Sequence, residues 1–222
     1  MRLFRVFMSF GLATLLMAGC AWESSSGTDG GTEEDGAVQT DQSSGGDEEP
    51  LEYPGPPYGT DYGETAPDFQ LEECVCDGDE LIDSHDLYLS DLLGSKAVMI
   101  TVHAGWCTYC KQQSVTMEDD FYQPYKDQCL DMIMVIFQDE HGDDDRQVLL
   151  DYCCYYKDHY GFTFHTTIDP GAAATSQFFR PTESGTPLNM LLDDEMATRY
   201  KVEGLIPDSR ILEGTIEGLL SE

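Results

Sequence analysis

The sequence predicts an α/β fold, with three layers (α/β/α) built on a mixed central sheet. Three observations point to it. Residues 97–102 and 130–137 are near-continuous apolar runs, the composition of strands buried on both faces. Each run is followed by a stretch of helical character. Residues 188–192 and 197–202, joined by Asp193-Asp194-Glu195, read as an antiparallel hairpin ahead of a last helix.

The chain divides into three parts. Residues 1–19 have the form of an export signal: Arg2 and Arg5 supply the positive end, and the apolar stretch 6–17 is too short to span a bilayer. The signal ends in Met17-Ala18-Gly19-Cys20, which resembles the bacterial lipobox and implies cleavage before Cys20 and attachment of lipid to it. Met17 stands where Leu is usual. More than one acyl chain is needed for firm anchoring. Ala21 after the cysteine resembles the outer-membrane sorting pattern of enterobacterial lipoproteins. The expected location is therefore the bacterial cell envelope, on the outer membrane, facing the periplasm or the cell surface. Residues 20–65 form an acidic linker with twelve Asp and Glu between Glu23 and Glu64 and no Lys or Arg. Such a segment buries too little apolar surface to fold and is expected to be a disordered tether. Roughly 40 flexible residues give a reach on the order of 35 Å.

The folded domain is expected over residues 66–222, opening at Ala66-Pro67-Asp68-Phe69. Residues 69–71 and 80–82 are read as a short hairpin around Cys74-Val75-Cys76-Asp77-Gly78, because Asp-Gly favours a tight turn. Residues 87–94 read as a brief strand or turn and a short helix capped near Ser90. A helix is expected from Cys107 to about Phe121, disturbed by Pro124. After the acidic loop 139–145 a helix runs from about Arg146 to His159, then a strand over 162–168 and a short helix over 172–179. Pro207-Asp208 opens a terminal helix through about Leu220.

The chemistry-bearing stretch is Gly105-Trp106-Cys107-Thr108-Tyr109-Cys110, where a buried strand ends and a helix begins. A thiolate at a helix N-terminus is stabilised by the unpaired amides and the helix dipole. Cys110 lies one turn later on the same face, within disulfide reach of Cys107. This is the layout of a dithiol redox site.

The order of elements and these motifs resemble the thioredoxin fold. More narrowly, they resemble the exported, membrane-anchored thioredoxin-like proteins of the alkyl hydroperoxide reductase/thiol-specific antioxidant superfamily. The resemblance runs from about Ala66 to Leu220. It is carried by Ala66-Pro67-Asp68-Phe69, by the segment from Leu89 to Lys96, by Ala104-Gly105-Trp106-Cys107-Thr108-Tyr109-Cys110, and by Gly185-Thr186-Pro187. It implies a thiol-disulfide oxidoreductase acting on cysteines of exported proteins. Cys107 is then the nucleophile, Cys110 the resolving thiol, Trp106 a flanking residue, and Thr186 and cis-Pro187 the binders of the substrate chain. Implied partners are protein thiols or disulfides, a second redox protein, and the membrane through the lipid anchor; no cofactor is required. Two features depart from the family pattern: Thr101 stands where thioredoxins often carry a buried Asp, and Tyr109 where many relatives carry Pro. A base acting on Cys110 must then come from elsewhere, with Glu118 and the neighbourhood of His141 as candidates.

Other readings of the same residues stay open. His103, Cys107 and Cys110 are three potential zinc or copper ligands, although a strand-end His need not converge on a helix-start pair. A non-catalytic surface domain with a purely structural dithiol is the third reading. The loop 139–145 lacks the alternating ligands of a calcium site and reads as a solvated acidic loop.

The chain has eight cysteines, which suits an oxidising compartment. With Cys20 lipidated and Cys107 paired to Cys110, five remain, so at least one is expected to be free or paired between molecules. Cys129 is expected to bridge to Cys153 or Cys154, and Cys74 to close a tight local loop with Cys76, unless these cysteines are buried as free thiols. The net charge of −32 excludes nucleic acid as a partner, because phosphate binding needs a concentration of Lys and Arg.

Overall fold

Seven strands form one sheet in the order β2-β1-β5-β4-β3-β6-β7 in the computed structural model. The strands are β1 (Gln70–Asp77), β2 (Glu80–Tyr88), β3 (Ala97–His103), β4 (Leu130–Ile136), β5 (His165–Ile168), β6 (Leu188–Asp193) and β7 (Thr198–Glu203). The helices are α1 (Thr108–Thr116), α2 (Arg146–Tyr160) and α3 (Ser209–Leu220). The structure describes residues 51–181 and 185–222. The export signal, Cys20 and the tether up to residue 50 lie outside the described residues.

β3, β4 and β5 are parallel, while β6 runs antiparallel to β3 and β1 antiparallel to β5. Every residue of β3 is buried, which is why that run is continuously apolar rather than alternating. The crossovers β3-α1-β4 and β4-α2-β5 step across the sheet in the same direction. Right-handed crossovers then place both helices on one face. There Met117, Phe121, Leu149 and Tyr156 pack with Leu212 and Ile216 of α3 against Met99, Met132 and Met134. β4 alternates accordingly, sending Met132 and Met134 to the helices and Ile133 and Val135 to the opposite face. That opposite layer is made of 3₁₀ turns, Leu89–Leu92 and Thr175–Phe178, whose Leu89, Leu92 and Phe178 cover Val98, Ile100 and Val135. The sheet is thus mixed and the layers number three, as the sequence predicts.

The helix ends follow the sequence. Asp145 accepts hydrogen bonds from the amides of Gln147 (3.0 Å) and Val148 (3.3 Å), capping α2, which stops at Gly161 with φ 71°. Asp208 accepts from the Arg210 amide and opens α3. Several boundaries differ from the sequence reading. The first hairpin is much longer than expected and turns at Gly78 (φ 61°), so Cys74 and Cys76 lie within β1 rather than at the turn. α1 ends at Thr116 and widens into a π-helical turn, Met117–Tyr122, that keeps both Met117 and Phe121 in the core. Gly171 and Ala172 are left-handed (φ 64° and 57°), and in place of the expected 172–179 helix the chain forms 3₁₀ turns at Pro170–Ala172 and Thr175–Phe178. β5 is shorter than expected: Phe162 packs on Tyr156 and Tyr160 of α2, and Phe164 on Phe162 and Tyr122, instead of pairing as strand.

Ordered contacts begin before Ala66, in residues expected to close the tether. Tyr53 Oη donates to the Ala66 carbonyl (2.9 Å), Gly63 N to Thr198 O (2.8 Å) and Lys201 Nζ to Thr60 O (2.6 Å). Tyrosine and proline there supply apolar surface that the Ser/Gly/Asp stretch lacks.

The cysteine pairing corrects the expectation. Cys74 bonds Cys153 and Cys76 bonds Cys154, with Cα separations of 6.5 and 5.5 Å. Cys74 and Cys76 sit two apart on β1 and so share its α2-facing side, opposite the vicinal pair of the helix. Neither the Cys74–Cys76 loop nor a bridge from Cys129 to α2 forms, since both pairs are already committed. Among the described residues no cysteine is free.

The two bridges close nearly the same loop, with sequence separations of 79 and 78. In a chain-entropy account the first bridge stabilises by about 4 kcal/mol and the second adds little, because the ends are already joined. Denaturant unfolding should therefore show a loss below about 2 kcal/mol for Cys76→Ala with Cys154→Ala, and a loss of about 4 kcal/mol or more when all four are replaced.

On the other face of β1, Glu73 accepts from His165 Nδ1 (2.9 Å) and pairs with His85 (3.3 Å). Burial pushes the Glu73 carboxyl up, but the His165 hydrogen bond together with the charges of His165, His85 and Lys157 outweighs it and leaves the group below its ordinary value. Burial likewise pushes His165 down, and Glu73 reverses this to a net rise. A raised histidine contributes stability that is fully present below its unfolded value near 6.5 and is lost as pH rises through the folded value. Thermal melts of His165→Gln should thus fall furthest below wild type near pH 6, and the gap should shrink toward pH 9.

Candidate active site

β3 delivers the chain to the site, and the backbone there leaves no room for a side chain. Gly105 N donates to Gln138 O (2.7 Å). A Cβ on Gly105 would stand 2.6 Å from the Asp139 carbonyl carbon, the Glu140 nitrogen and Tyr152 Cε1. This close approach lets the chain turn sharply and start α1 with Cys107 as its N-cap residue. Cys107 Sγ accepts from the Cys110 amide at 3.1 Å, the place where a helix start offers positive charge.

Cys107 and Cys110 form a disulfide with a Cα separation of 5.2 Å. The Thr186-Pro187 peptide is cis and lies against it. Cys107 Sγ is 3.4 Å from the Thr186 carbonyl oxygen, and Cys110 Sγ is 3.1 Å from Thr186 Oγ1. Cys107 keeps 5% exposure and Cys110 none, so an incoming sulfur meets Cys107 first. Trp106 is 48% exposed, with its indole N–H donating to Gln138 Oε1. Trp106, Phe137, Ala172, Phe179, Arg180 and Thr186 border a groove of about 360 Å³ beside the disulfide. The loop into Pro187 is tied down by Glu203, which accepts from the amides of Arg180 (2.7 Å) and Gly185 (2.8 Å) and from the Arg180 side chain (3.2 Å). Burial pushes the Glu203 carboxyl up, but these donors hold it below its ordinary value.

The five residues singled out in the sequence, Trp106, Cys107, Cys110, Thr186 and Pro187, therefore meet in one place. Others do not. Glu118 accepts from the Thr163 amide (2.9 Å) and from Gln123 Nε2 (2.6 Å) beyond the far end of α1. His141 is solvent-exposed and paired with Glu140. The acidic loop is internally organised, with Asp139 Oδ1 accepting from the amides of His141 and Asp143, both at 2.8 Å. His103 is fully buried, and its hydrogen-bond partners are Thr101, Gln113, Ser114 and Tyr156 rather than either cysteine. Burial depresses its pKa to about 3, so the ring is neutral. Among the described residues no group of three or more His, Cys, Asp or Glu is close enough to hold a metal ion.

The polar cluster around His103 is the part of the site that sequence reasoning missed. Thr101 Oγ1 donates to Asn189 Oδ1 (3.0 Å), Gln113 Nε2 to the same oxygen (2.6 Å), and Ser114 Oγ to the Cys110 carbonyl (3.0 Å). A signal existed: Thr101 and His103 alternate inward on an otherwise apolar strand, and Gln113-Ser114 falls one turn after Cys110.

A family model described as AhpC/TSA matches residues 62–204. Thiol-disulfide oxidoreductase ResA of Oceanobacillus iheyensis is 38% identical over 73 residues, which is 33% of this chain and 35% of the relative. The match thus spans about a third of that relative's length. A solved chain from Chlorobium tepidum, described as the thiol:disulfide interchange protein DsbE, is 24% identical with a TM-score of 0.53, covering 72% of this chain and 98% of its own. A secreted thiol-disulfide isomerase from Corynebacterium glutamicum is 15% identical with a TM-score of 0.54, covering 70% and 85%. The two solved structures establish the fold.

The contact at Gly105 makes a direct prediction. Gly105→Ala must push the 139–140 backbone or Tyr152 outward, an overpacking cost of about 1–3 kcal/mol. Denaturant unfolding should show that loss, and thiol trapping should show slower exchange at Cys107.

Proposed function

The chain belongs to the AhpC/TSA family, and from that membership we propose that it is a thiol-disulfide oxidoreductase working through Cys107 and Cys110. The observation that carries the reading is the placement of the pair. The outer sulfur caps a helix and accepts an amide hydrogen bond, and both sulfurs lie against Thr186. That environment favours a thiolate at Cys107 on reduction.

In the reduced protein, the Cys107 thiolate attacks one sulfur of a substrate disulfide. A Cys107–substrate bond forms, the substrate bond breaks, and the released substrate thiolate takes a proton. Cys110 then loses its proton and attacks Cys107 Sγ, which re-forms the intramolecular disulfide and frees the second substrate thiol. Two electrons pass from the protein to the substrate, and the reverse sequence oxidises a substrate dithiol. In this reading Trp106 flanks the reacting sulfurs, and Thr186 and Pro187 receive the extended substrate chain in the groove. A redox partner protein restores the starting state of the dithiol. No cofactor enters the cycle.

The domain is proposed to work in the bacterial cell envelope on cysteines of exported proteins. Lipid on Cys20, after removal of residues 1–19, would hold it to the membrane, with the outer membrane the favoured site from Ala21. The acidic stretch that follows acts as the tether to the domain.

Thiol-trapping mass spectrometry in glutathione and dithiothreitol buffers tests the reading. The Cys107–Cys110 pair should titrate as a two-electron couple, near about −270 mV for a reductant or about −120 mV for an oxidant. Cys107→Ser should abolish exchange, and Cys110→Ser should accumulate a mixed disulfide on Cys107. A pair that exchanges with neither buffer would sink the proposal.

A further inference from the structure

Beneath the dithiol lies a closed group of six uncharged polar side chains from four elements: Thr101 and His103 on β3, Gln113 and Ser114 on α1, Tyr156 on α2, and Asn189 on β6. Five of them are buried polar residues in the interior, and Tyr156 is 1% exposed. Burying this many polar groups costs stability unless each is hydrogen-bonded, and here each is.

We infer that His103 is a positioning residue of the dithiol, fixing Cys110 through Ser114 and the strand that follows Pro187 through Thr101 and Asn189, so that the cluster tunes the resolving thiol. The inference rests on the oxidoreductase reading above.

The connections are direct. Ser114 Oγ donates to the Cys110 carbonyl at 3.0 Å, lies 2.7 Å from Tyr156 Oη and is 3.3 Å from His103 Nδ1. On the other side of the ring, Thr101 Oγ1 stands 2.9 Å from His103 Nε2 and 3.0 Å from Asn189 Oδ1. Asn189 Nδ2 donates to Gly204 O (3.1 Å), and Gly204 N donates to Pro187 O (2.7 Å). One chain of hydrogen bonds thus runs from the Cys110 backbone to Pro187.

Thr101 has one hydroxyl proton and donates it to Asn189, so its 2.9 Å contact with His103 Nε2 is closed by a proton on Nε2. The neutral ring then donates to Thr101 and turns Nδ1, as an acceptor, toward the hydroxyls of Tyr156 and Ser114, both at 3.3 Å. The cluster thereby fixes one tautomer of the ring. Among the described residues no charged side chain bonds to the ring: its partners are Thr101, Gln113, Ser114 and Tyr156, and burial is the sole cause of its depressed pKa. Reduction changes what the cluster faces. The S–S bond breaks, two electrons and two protons arrive from a substrate dithiol that becomes a disulfide, and Cys110 Sγ turns from a bonded sulfur into a thiol or thiolate beside Thr186.

Ser114→Ala and Tyr156→Phe each delete one hydroxyl at nearly constant volume, and His103→Gln keeps a donor and an acceptor but no second ring nitrogen. Two readouts apply: the equilibrium constant of the dithiol against glutathione, and the pH profile of the step in which Cys110 resolves a mixed disulfide. Folded Ser114→Ala and Tyr156→Phe variants should change the equilibrium constant at least threefold and displace the pH profile. His103→Gln should do the same, and if it fails to fold the two hydroxyl variants decide. Folded variants with both readouts at wild-type values would show that the cluster only fills space, and would overturn this inference while leaving the functional reading intact. Absence of any exchange in the wild type would remove both.

Discussion

The interaction on which the site depends is the hydrogen bond from the Cys110 amide to Cys107 Sγ, made where β3 can no longer continue as strand. The strand is buried along its whole length and must exit through a turn whose backbone touches the 139–140 segment. Only a glycine fits at 105. The helix that begins three residues later has unpaired amides at its start, and the N-cap residue placed to receive them is a cysteine. Fold and chemistry therefore share one cause: the same sharp exit that ends the strand aims the helix terminus at the sulfur.

A second constraint closes the site from the opposite side. The Thr186-Pro187 segment lies against both sulfurs, and its approach is set by Glu203, which binds the amides of Arg180 and Gly185. Glu203 ends β7, the strand paired with β6, so the hairpin following Pro187 also anchors the segment preceding it. The closing hairpin thus serves the site as much as the sheet.

Much of this was legible in the sequence. The buried strands were plain because parallel central strands must be apolar on both faces. The dithiol was plain because a Cys-x-x-Cys pair after such a strand and a Trp has few other uses. The Thr186-Pro187 partner came through family resemblance, since 76 residues separate Thr186 from Cys110 and no local rule links them. What stayed hidden depends on tertiary register. Cys74 and Cys76 pair with Cys153 and Cys154 because β1 sits beside β5 at the far side of the parallel strands, and spacing alone cannot supply that order. The His103 cluster stayed hidden for a similar reason. A lone inward His offers several meanings, and only the convergence of α1, α2 and β6 selects a satisfied hydrogen-bonded ring over a metal ligand. The contact of Tyr53 with the Ala66 carbonyl stayed hidden as well, because its Pro, Gly and Tyr neighbours share a stretch with acidic residues and carry no strand or helix period.

The two outer disulfides bear on the site through α2. Cys153 and Cys154 lie between Tyr152 and Tyr156 on that helix. Tyr152 is the side chain that any Cβ on Gly105 would strike, and Tyr156 Oη lies 2.7 Å from Ser114 Oγ. A helix packed only by apolar contacts can slide or roll by fractions of an ångström at small cost. One bonded to β1 at two adjacent residues cannot roll, because the bridges leave in directions about 100° apart. The pair of bridges therefore holds both tyrosines at fixed depth, one against the turn before Cys107 and one under Cys110. On this argument the second bridge, which adds little chain-entropy stabilisation, has its effect in the orientation of α2. The dithiol then owes its geometry in part to covalent bonds that lie outside the site.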